Sequence, residues 1–391
     1  MPRDPLADYR SRRDLERSGE PSGAAEEGRR GAPDGAAEEG PRGAPGEGAV
    51  EGRRAGPGEV VSSGRFVVQQ HDATNLHWDL RIEHGGVALS WALPRGVPQL
   101  PDRSANRLAV RTEDHPLSYL DFEGEIPAGE YGGGSMAVWD RGTYEATKLR
   151  DDEVIAQFRG ERVRGRYALF RTGGKNWMIH RISPPTDPGR QPLPGELRPM
   201  LPRRGGLPAG EADWAFEISW GGLRTLLWCE PGHIRRSRSR GVDVETVELF
   251  PELRRIARAM GSVEAVLDGE VVVPGPGGLP APRRLRDRRR AGSGSAARRL
   301  AGRHPATIML YDVIFLDGRT VAPLSYESRR ELLEDLCLDG PAWSTPASHR
   351  GDGAALLKAA GERKLPGLVA KRLGSPYLPG RRTGDWVRVA A

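Results

Sequence analysis

The chain has 391 residues and a formal net charge of +6, and only five of its basic residues are lysines (Lys148, Lys175, Lys358, Lys364, Lys371), so its positive charge is overwhelmingly arginine. That length exceeds one ordinary core and implies two domains with connecting segments, while two isolated cysteines, Cys229 and Cys337, exclude a disulfide framework or a cysteine zinc site. No apolar run approaches the ~20 residues of a membrane span and the N-terminus has no signal-peptide core, so a soluble cytoplasmic protein is expected.

In chain order, residues 1–20 read as a short arm with Leu and Tyr at helical spacing among charges. Residues 21–60 hold a near-duplicate unit, GAAEEGRRGAPD then GAAEEGPRGAPG, which buries too little apolar surface to offset its ordering entropy and is expected to be a flexible linker. Residues 61–183 contain short alternating runs, RFVVQQH, LHWDLRIE, VALSWALP, RLAVRTE, MAVWDRGTYEA, RYALFRT and NWMIHRI, which predict a compact all-β barrel or sandwich. A proline-rich break follows at 184–196. Residues 197–391 mix strand-like runs (WAFEISW, LRTLLWC, AVLDGEVVV, ATIMLYDVIFLDG, GLVAKRL, DWVRVAA) with helix-like ones (ELFPELRRIARAM, SYESRRELLEDLCL, AALLKAAGERK), the pattern of an α+β domain. Within it, the Arg, Gly and Pro rich stretch 276–303 reads as a mobile excursion outside the core, serving either as a phosphate-binding patch or as a solvated insertion.

On a strand, LHWDLRIE turns His77, Asp79 and Arg81 to one face and Trp78, Leu80 and Ile82 to the other. The preceding run ends at His71, and the turn-forming DATN between them predicts a hairpin that brings His71 and Gln69 beside His77 and Asp79. Two imidazoles and a carboxylate suit a divalent transition metal with open positions; the same residues also suit solvated polar positions on a half-buried sheet. A second cluster, RLAVRTEDHPLSYLDFEGEIPAGEYGGG, offers Arg107, Glu113, His115 and Tyr119. Arginine can neutralise phosphate oxygens and histidine can donate a proton, although EDHP alone also fits a capped turn.

These strings, FVVQQHDATNLHWDLRIE, LSWALPRG, RLAVRTEDHPLSYLDFEGEIPAGEYGGG and VWDRGTY, together with the arm YRSRRDLERSGEP, resemble the phosphoesterase module of bacterial ligase D proteins. The resemblance implies manganese-dependent removal of 3′-phosphates and 3′-terminal ribonucleotides during end joining. It implies His71, His77 and Asp79 as metal ligands, Arg81 and Arg107 on the phosphate and His115 at the reacting centre. Gln69, Glu113, Tyr119 and the arm residues Arg13, Asp14 and Glu20 would support them. Implied partners are DNA 3′ ends on a primer-template, an end-binding protein, a repair polymerase and a complete DNA ligase.

Residues 197–391 resemble the adenylylation domain of ATP-dependent DNA ligases through LRPMLP, WAFEISWGGLR, VLDGEVVV, MLYDVIFLDG, GLVAKR and SPYLPGRRTGDWVRV, and the expectation is a domain without the family's OB-fold. The family attacks ATP with the lysine of a K-x-D-G motif. Here that motif is Ser219, Trp220, Gly221 and Gly222, and no lysine lies between Lys175 and Lys358. Pro366 replaces an expected glutamate, and Arg388 and Ala390 replace terminal lysines. The expectation is a nucleotidyltransferase-like domain without adenylylation, for which ATP is not a cofactor. Arg224, Asp268, Glu270, Tyr311 and Lys371 would be remnants of a nucleotide site. An ATP-dependent ligase of unusual sequence and a non-catalytic DNA-end-binding scaffold are the alternatives.

Overall fold

The computed structural model describes residues 4–23 and 59–391. The expected repeat linker therefore falls largely outside the described residues. The chain divides into two compact units, Met1–Pro188 and Gly189–Ala391.

The first unit is a closed antiparallel barrel. Its strands are β1 (Ser62–Asp72), β2 (Leu76–His84), β3 (Val87–Leu93), β4 (Arg107–Arg111), β5 (Gly124–Ile126), β6 (Gly134–Leu149), β7 (Glu153–Gly160), β8 (Arg164–Gly173) and β9 (Asn176–Arg181). The order is β1-β2-β3-β4-β9-β8-β7-β6-β5, and a β1–β6 pairing closes eight of them. Closure removes every long sheet edge except the short β5. Alternation decides the interior: Phe66 and Val68 from β1, Trp78, Leu80 and Ile82 from β2, and Tyr144, Phe158 and Tyr167 from the far wall form one core. The long β6 must serve both β1 and β7, and Gly142 lies opposite Phe66 on one side and Gly160 on the other. A Cβ at Gly142 would stand 2.2 Å from the Arg159 carbonyl oxygen, so only glycine fits this close crossing. Strand β7 is absent from the sequence reading, although Val154, Ala156 and Phe158 alternate into the core.

The second unit holds two sheets. One orders Leu201–Arg204, Arg382–Ala390, Gly367–Arg372, Trp214–Ile218 and His349–Arg350; the other orders His233–Ser239, Leu223–Glu230, Ala265–Val272, Thr307–Leu316 and Arg319–Thr320. Helices Tyr326–Asp335 and Gly353–Glu362 pack on them. The expected helix ELFPELRRIARAM is instead three short turns, Thr246–Leu249, Pro251–Arg255 and Ile256–Ala259, because Pro251 cannot continue a helix through its own position. Residues following the break at Pro188 lie on this unit: Arg190 pairs with Glu264, and Leu193 and Leu197 pack on its core.

The stretch 276–303 corrects the expectation of a mobile excursion. It forms helices Pro282–Arg290 and Ser295–Arg303, anchored by buried Leu285, Arg288 and Ala297. Arg288 is the clamp. It donates to both Glu252 carboxylate oxygens at 2.7 and 2.9 Å and to the carbonyls of Leu249 and His304. Composition masked this, since one arginine in nine residues is buried and paired while its neighbours are solvated.

Candidate active site

The polar face of β2 points away from the barrel core. Cross-strand register sets Gln69 opposite Asp79, His71 opposite His77 and Arg81 opposite Ser90 of β3, so one surface of three strands carries all six. That surface is covered. The arm contributes Tyr9, Arg13 and Glu20, and the segment after β4 contributes Glu113, His115 and Tyr119.

One ligand-capable atom from each of His71, His77 and Asp79 lies within 4.8 Å of the others. The His71 Nε2 hydrogen donates to the Gly132 carbonyl at 2.8 Å, leaving Nδ1 as the lone-pair nitrogen. His77 Nδ1 likewise donates to the Asn75 carbonyl at 2.9 Å, leaving Nε2. Both lone-pair nitrogens stand 3.7 Å from Asp79 oxygens. A backbone carbonyl on the far nitrogen is how proteins orient a metal-binding imidazole. Burial by itself would raise the Asp79 carboxyl, but the Arg81 guanidinium holds it well below the usual range, so it is anionic. The donor set fits a divalent cation.

All three nitrogens of Arg81 are engaged. Its Nη2 donates to Asp79 at 3.0 Å, Nε to Gln69 Oε1 at 2.7 Å and Nη1 to Ser90 Oγ at 2.9 Å, and the guanidinium stacks 4.6 Å from the Tyr119 ring. Gln69 is fixed in turn, its amide donating to the carbonyls of Tyr119 and Phe122. Arg13 bridges Glu20 at 2.9 Å and Glu113 at 2.8 Å, and its Nη2 is 3.3 Å from His115 Nε2. Burial pushes the Tyr119 phenol up, so it stays protonated and donates to Glu20 at 2.7 Å.

His115 is buried between the rings of Tyr9 and Tyr119. Its Nδ1 donates to the Glu113 carbonyl at 2.9 Å, and Nε2 accepts from Arg13. Burial, then the cations Arg81 and Arg13, hold it well below its ordinary value of 6.5. The imidazole is therefore neutral near pH 7. Below pH 6.5 the unfolded chain takes up a proton that the folded chain refuses, so this group's contribution to stability is present above that pH and falls as pH drops, by about 1.4 kcal/mol per unit. Urea unfolding from pH 7 to 5 in EDTA is expected to give a shallower acid dependence for His115→Asn than for the parent; equal slopes would refute this.

Asp14 and Arg107 are placed differently. Asp14 is exposed and accepts from the Arg17 backbone N–H as the cap of the turn Leu15–Ser18. Arg107 is buried on β4, on the side that Ala109 turns into the barrel core, because strand parity separates it from the polar face of β2. Ser90, Tyr9 and the Gly132 carbonyl are missed by the sequence reading. Ser90 has the right parity on β3 to be suspected; a backbone carbonyl 61 residues from the histidine it orients has no side-chain signature.

In the second unit, Ser219, Gly222, Arg224, Glu270 and Tyr311 line a cavity of about 280 Å³ together with Arg240 and Arg388. No lysine lines it. Glu270 accepts from the backbone N–H groups of Trp220 and Gly222 at 3.1 and 2.8 Å and from the Tyr311 hydroxyl at 3.0 Å, so one carboxylate pins the loop that runs from Ser219 to Gly222. Arg224 makes a two-pronged pair with Asp268 at 2.6 and 2.7 Å. Lys371 is fully buried outside the cavity lining, 2.8 Å from Glu217 and 4.4 Å from the Trp386 ring centre.

A family model described as the DNA ligase D 3′-phosphoesterase domain matches residues 69–171, and one described as the ATP dependent DNA ligase domain matches residues 207–389. The chain is similar to the multifunctional non-homologous end joining protein LigD of Mycobacterium bovis, with 40% identity over 332 residues, covering 83% of this chain and 41% of that protein. Similarity to the Pseudomonas aeruginosa protein of the same description is 32% over 379 residues, covering 83% and 43%. A solved structure of mycobacterial DNA ligase D complexed with ATP and MES is 32% identical, with a TM-score of 0.43 over 50% of this chain and 60% of that one. The chain spans about two fifths of the length of these two relatives. No helix among the described residues is long and apolar enough to cross a membrane.

Proposed function

Because the chain belongs to the ligase D family, with a 3′-phosphoesterase domain ahead of a ligase-type nucleotidyltransferase-like domain, we propose that its first unit clears 3′-phosphates and 3′-terminal ribonucleotides from DNA ends using manganese. The observation that carries this reading is the orientation of His71 and His77, each with its outer N–H engaged by a backbone carbonyl and its lone pair turned toward Asp79. His71, His77 and Asp79 would hold the cation, which supplies Lewis acidity toward a phosphoryl oxygen.

The chain's own groups do the rest. Arg81, bonded to Asp79, and Arg13, beside His115, carry the positive charge that stabilises phosphate oxygens as they gain charge in the transition state. Hydrolysis adds water to phosphorus and breaks the P–O3′ bond, leaving the proton on O3′. A neutral His115 accepts a hydrogen bond at Nε2 and so orients Arg13. Gln69, Glu113 and Tyr119 act through position and charge around these groups.

A primer-template bearing a 3′-phosphate or a 3′-terminal ribonucleotide, incubated with manganese, zinc or magnesium and resolved on a gel, tests the reading. Conversion to a 3′-hydroxyl with manganese is expected. No conversion with any metal would refute it and favour a DNA-end-binding scaffold.

For the second unit the proposal is a nucleotidyltransferase-like domain that forms no lysyl-AMP. Its support is chemical: the cavity has no lining amine, and arginine remains protonated and cannot serve as the nucleophile. Incubation with labelled ATP and magnesium is expected to leave no acid-stable adduct. An adduct on any lysine would overturn this part.

A further inference from the structure

The loop at residues 127–133, between β5 and β6, reaches the histidine cluster, where its Gly132 carbonyl takes the His71 Nε2 hydrogen at 2.8 Å. Its own backbone fixes its shape. The Glu130 N–H donates to the Pro127 carbonyl at 3.1 Å and the Gly133 N–H to the Glu130 carbonyl at 3.0 Å. The exit into β6 is equally tight, because a Cβ at Gly134 would stand 2.4 Å from the Asp72 carbonyl oxygen, at a φ of +147°. Glu130 also ties the loop to the arm, 3.4 Å from Arg17.

This loop carries Tyr131, which is 47% exposed. Single exposed apolar side chains are ordinary, but the surroundings of this one are not. The guanidinium of Arg13 lies 5.0 Å and that of Arg12 5.6 Å from the ring centre, and Arg12 Nη1 donates to the Tyr131 hydroxyl at 3.1 Å. Both guanidinium groups are held in turn by the two oxygens of Glu113, at 2.8 Å for Arg13 and 3.1 Å for Arg12. The ring is therefore ordered before any ligand arrives, while nearly half of the residue stays open to solvent. Ordering such long side chains costs entropy, and an aromatic face left in water recovers none of it. A flat apolar ligand face laid on the ring would.

The position of the ring indicates which ligand. One residue on, the Gly132 carbonyl sets the His71 imidazole, and Arg13, packed on the ring, stands 3.3 Å from His115 Nε2. In a DNA duplex every base is covered on both faces except at the terminus, where the outer face of the last base is bare. The 3′ oxygen and its phosphate belong to that same nucleotide, so a ring that covers the base sits beside the group to be removed.

We propose that Tyr131 is the stacking platform for the terminal nucleobase of the 3′ end, held in place for it by Arg12 and Arg13. This rests on the reading of the first unit as a 3′-end phosphoesterase and adds to it a residue that binds the terminal nucleoside. Stacking of this kind registers the presence of a base and tolerates any of the four.

The test pairs a change in substrate with a change in residue, in the full chain with manganese. Primer-templates carry a 3′-phosphate on either an ordinary nucleotide or a tetrahydrofuran abasic one. One base–aromatic stack is worth about five- to 150-fold in affinity. Tyr131→Ala is expected to raise KM on the ordinary end about tenfold. On the abasic end, where the parent has already lost the stack, the same substitution is expected to add less than about twofold. Tyr131→Phe keeps the ring and is expected to recover most of the parent's KM. A second readout needs no turnover: with 2-aminopurine as the terminal base, in EDTA, the parent is expected to quench the fluorescence at saturation and Tyr131→Ala is not. Equal rises in KM on both ends would overturn the proposal, since they would mark Tyr131 as acting only through Arg13. So would a parent-like KM for Tyr131→Ala on the ordinary end, or equal quenching by the two proteins. Should the parent leave every 3′-phosphate intact, the phosphoesterase reading falls, and the quenching comparison alone decides for or against the platform.

Discussion

His77→Ala is expected to lower manganese-dependent release of phosphate from a 3′-phosphate primer-template by more than about a hundredfold, because disturbing only the groups that orient a metal ligand already costs about 10- to 100-fold. His77 is the informative member of the trio. Its side chain is 22% exposed and its Nδ1 bonds the neighbouring Asn75 carbonyl, so truncation removes a donor nitrogen with little loss of packing. Asp79 is less suited, since its removal would strand the buried guanidinium of Arg81 and mix a stability defect with a chemical one. The expected pattern is weakened manganese binding and lost turnover with an unfolding midpoint close to the parent's. Parent-like turnover in His77→Ala would remove this centre from the chemistry.

Arg329→Ala is expected to destabilise the second unit by about 3–5 kcal/mol, the cost of breaking a buried pair from one side. Arg329 and Asp312 are both fully buried and joined by bonds of 2.7 and 3.1 Å, and the same guanidinium also donates to the carbonyls of Leu324 and Ser375. Without it, Asp312 keeps Lys371 at 3.8 Å, but Lys371 is committed to Glu217. Urea unfolding followed by tryptophan fluorescence should show a transition at lower denaturant, while 3′-phosphate release by the first unit persists below that transition. An unshifted unfolding profile would mean that the pair contributes little.

Much of this architecture was legible from residue order. Alternation in LHWDLRIE separates Trp78, Leu80 and Ile82 from His77, Asp79 and Arg81, and the turn former DATN sets His71 opposite His77. These are local relations, decided by a pleat of period two and a short turn. The departure of Ser219 from K-x-D-G is also local, visible as soon as the flanking strands are aligned. Composition, by contrast, misread 276–303, because one buried arginine paired with Glu252 cannot be told from solvated ones by counting.

What residue order alone determined was the set of ligand-capable side chains on one strand face and the absence of an amine at position 219. Tertiary structure decided that this face lies outside the barrel core and is roofed by groups distant in sequence. Arg13 meets Glu113 and His115 across 100 and 102 residues, Tyr119 meets Glu20 across 99, and the Gly132 carbonyl fixes His71 across 61. Those contacts depend on which segments the closed barrel brings together, and each gains its strength from burial. Neither burial nor a long-range partner is written in the period of a strand.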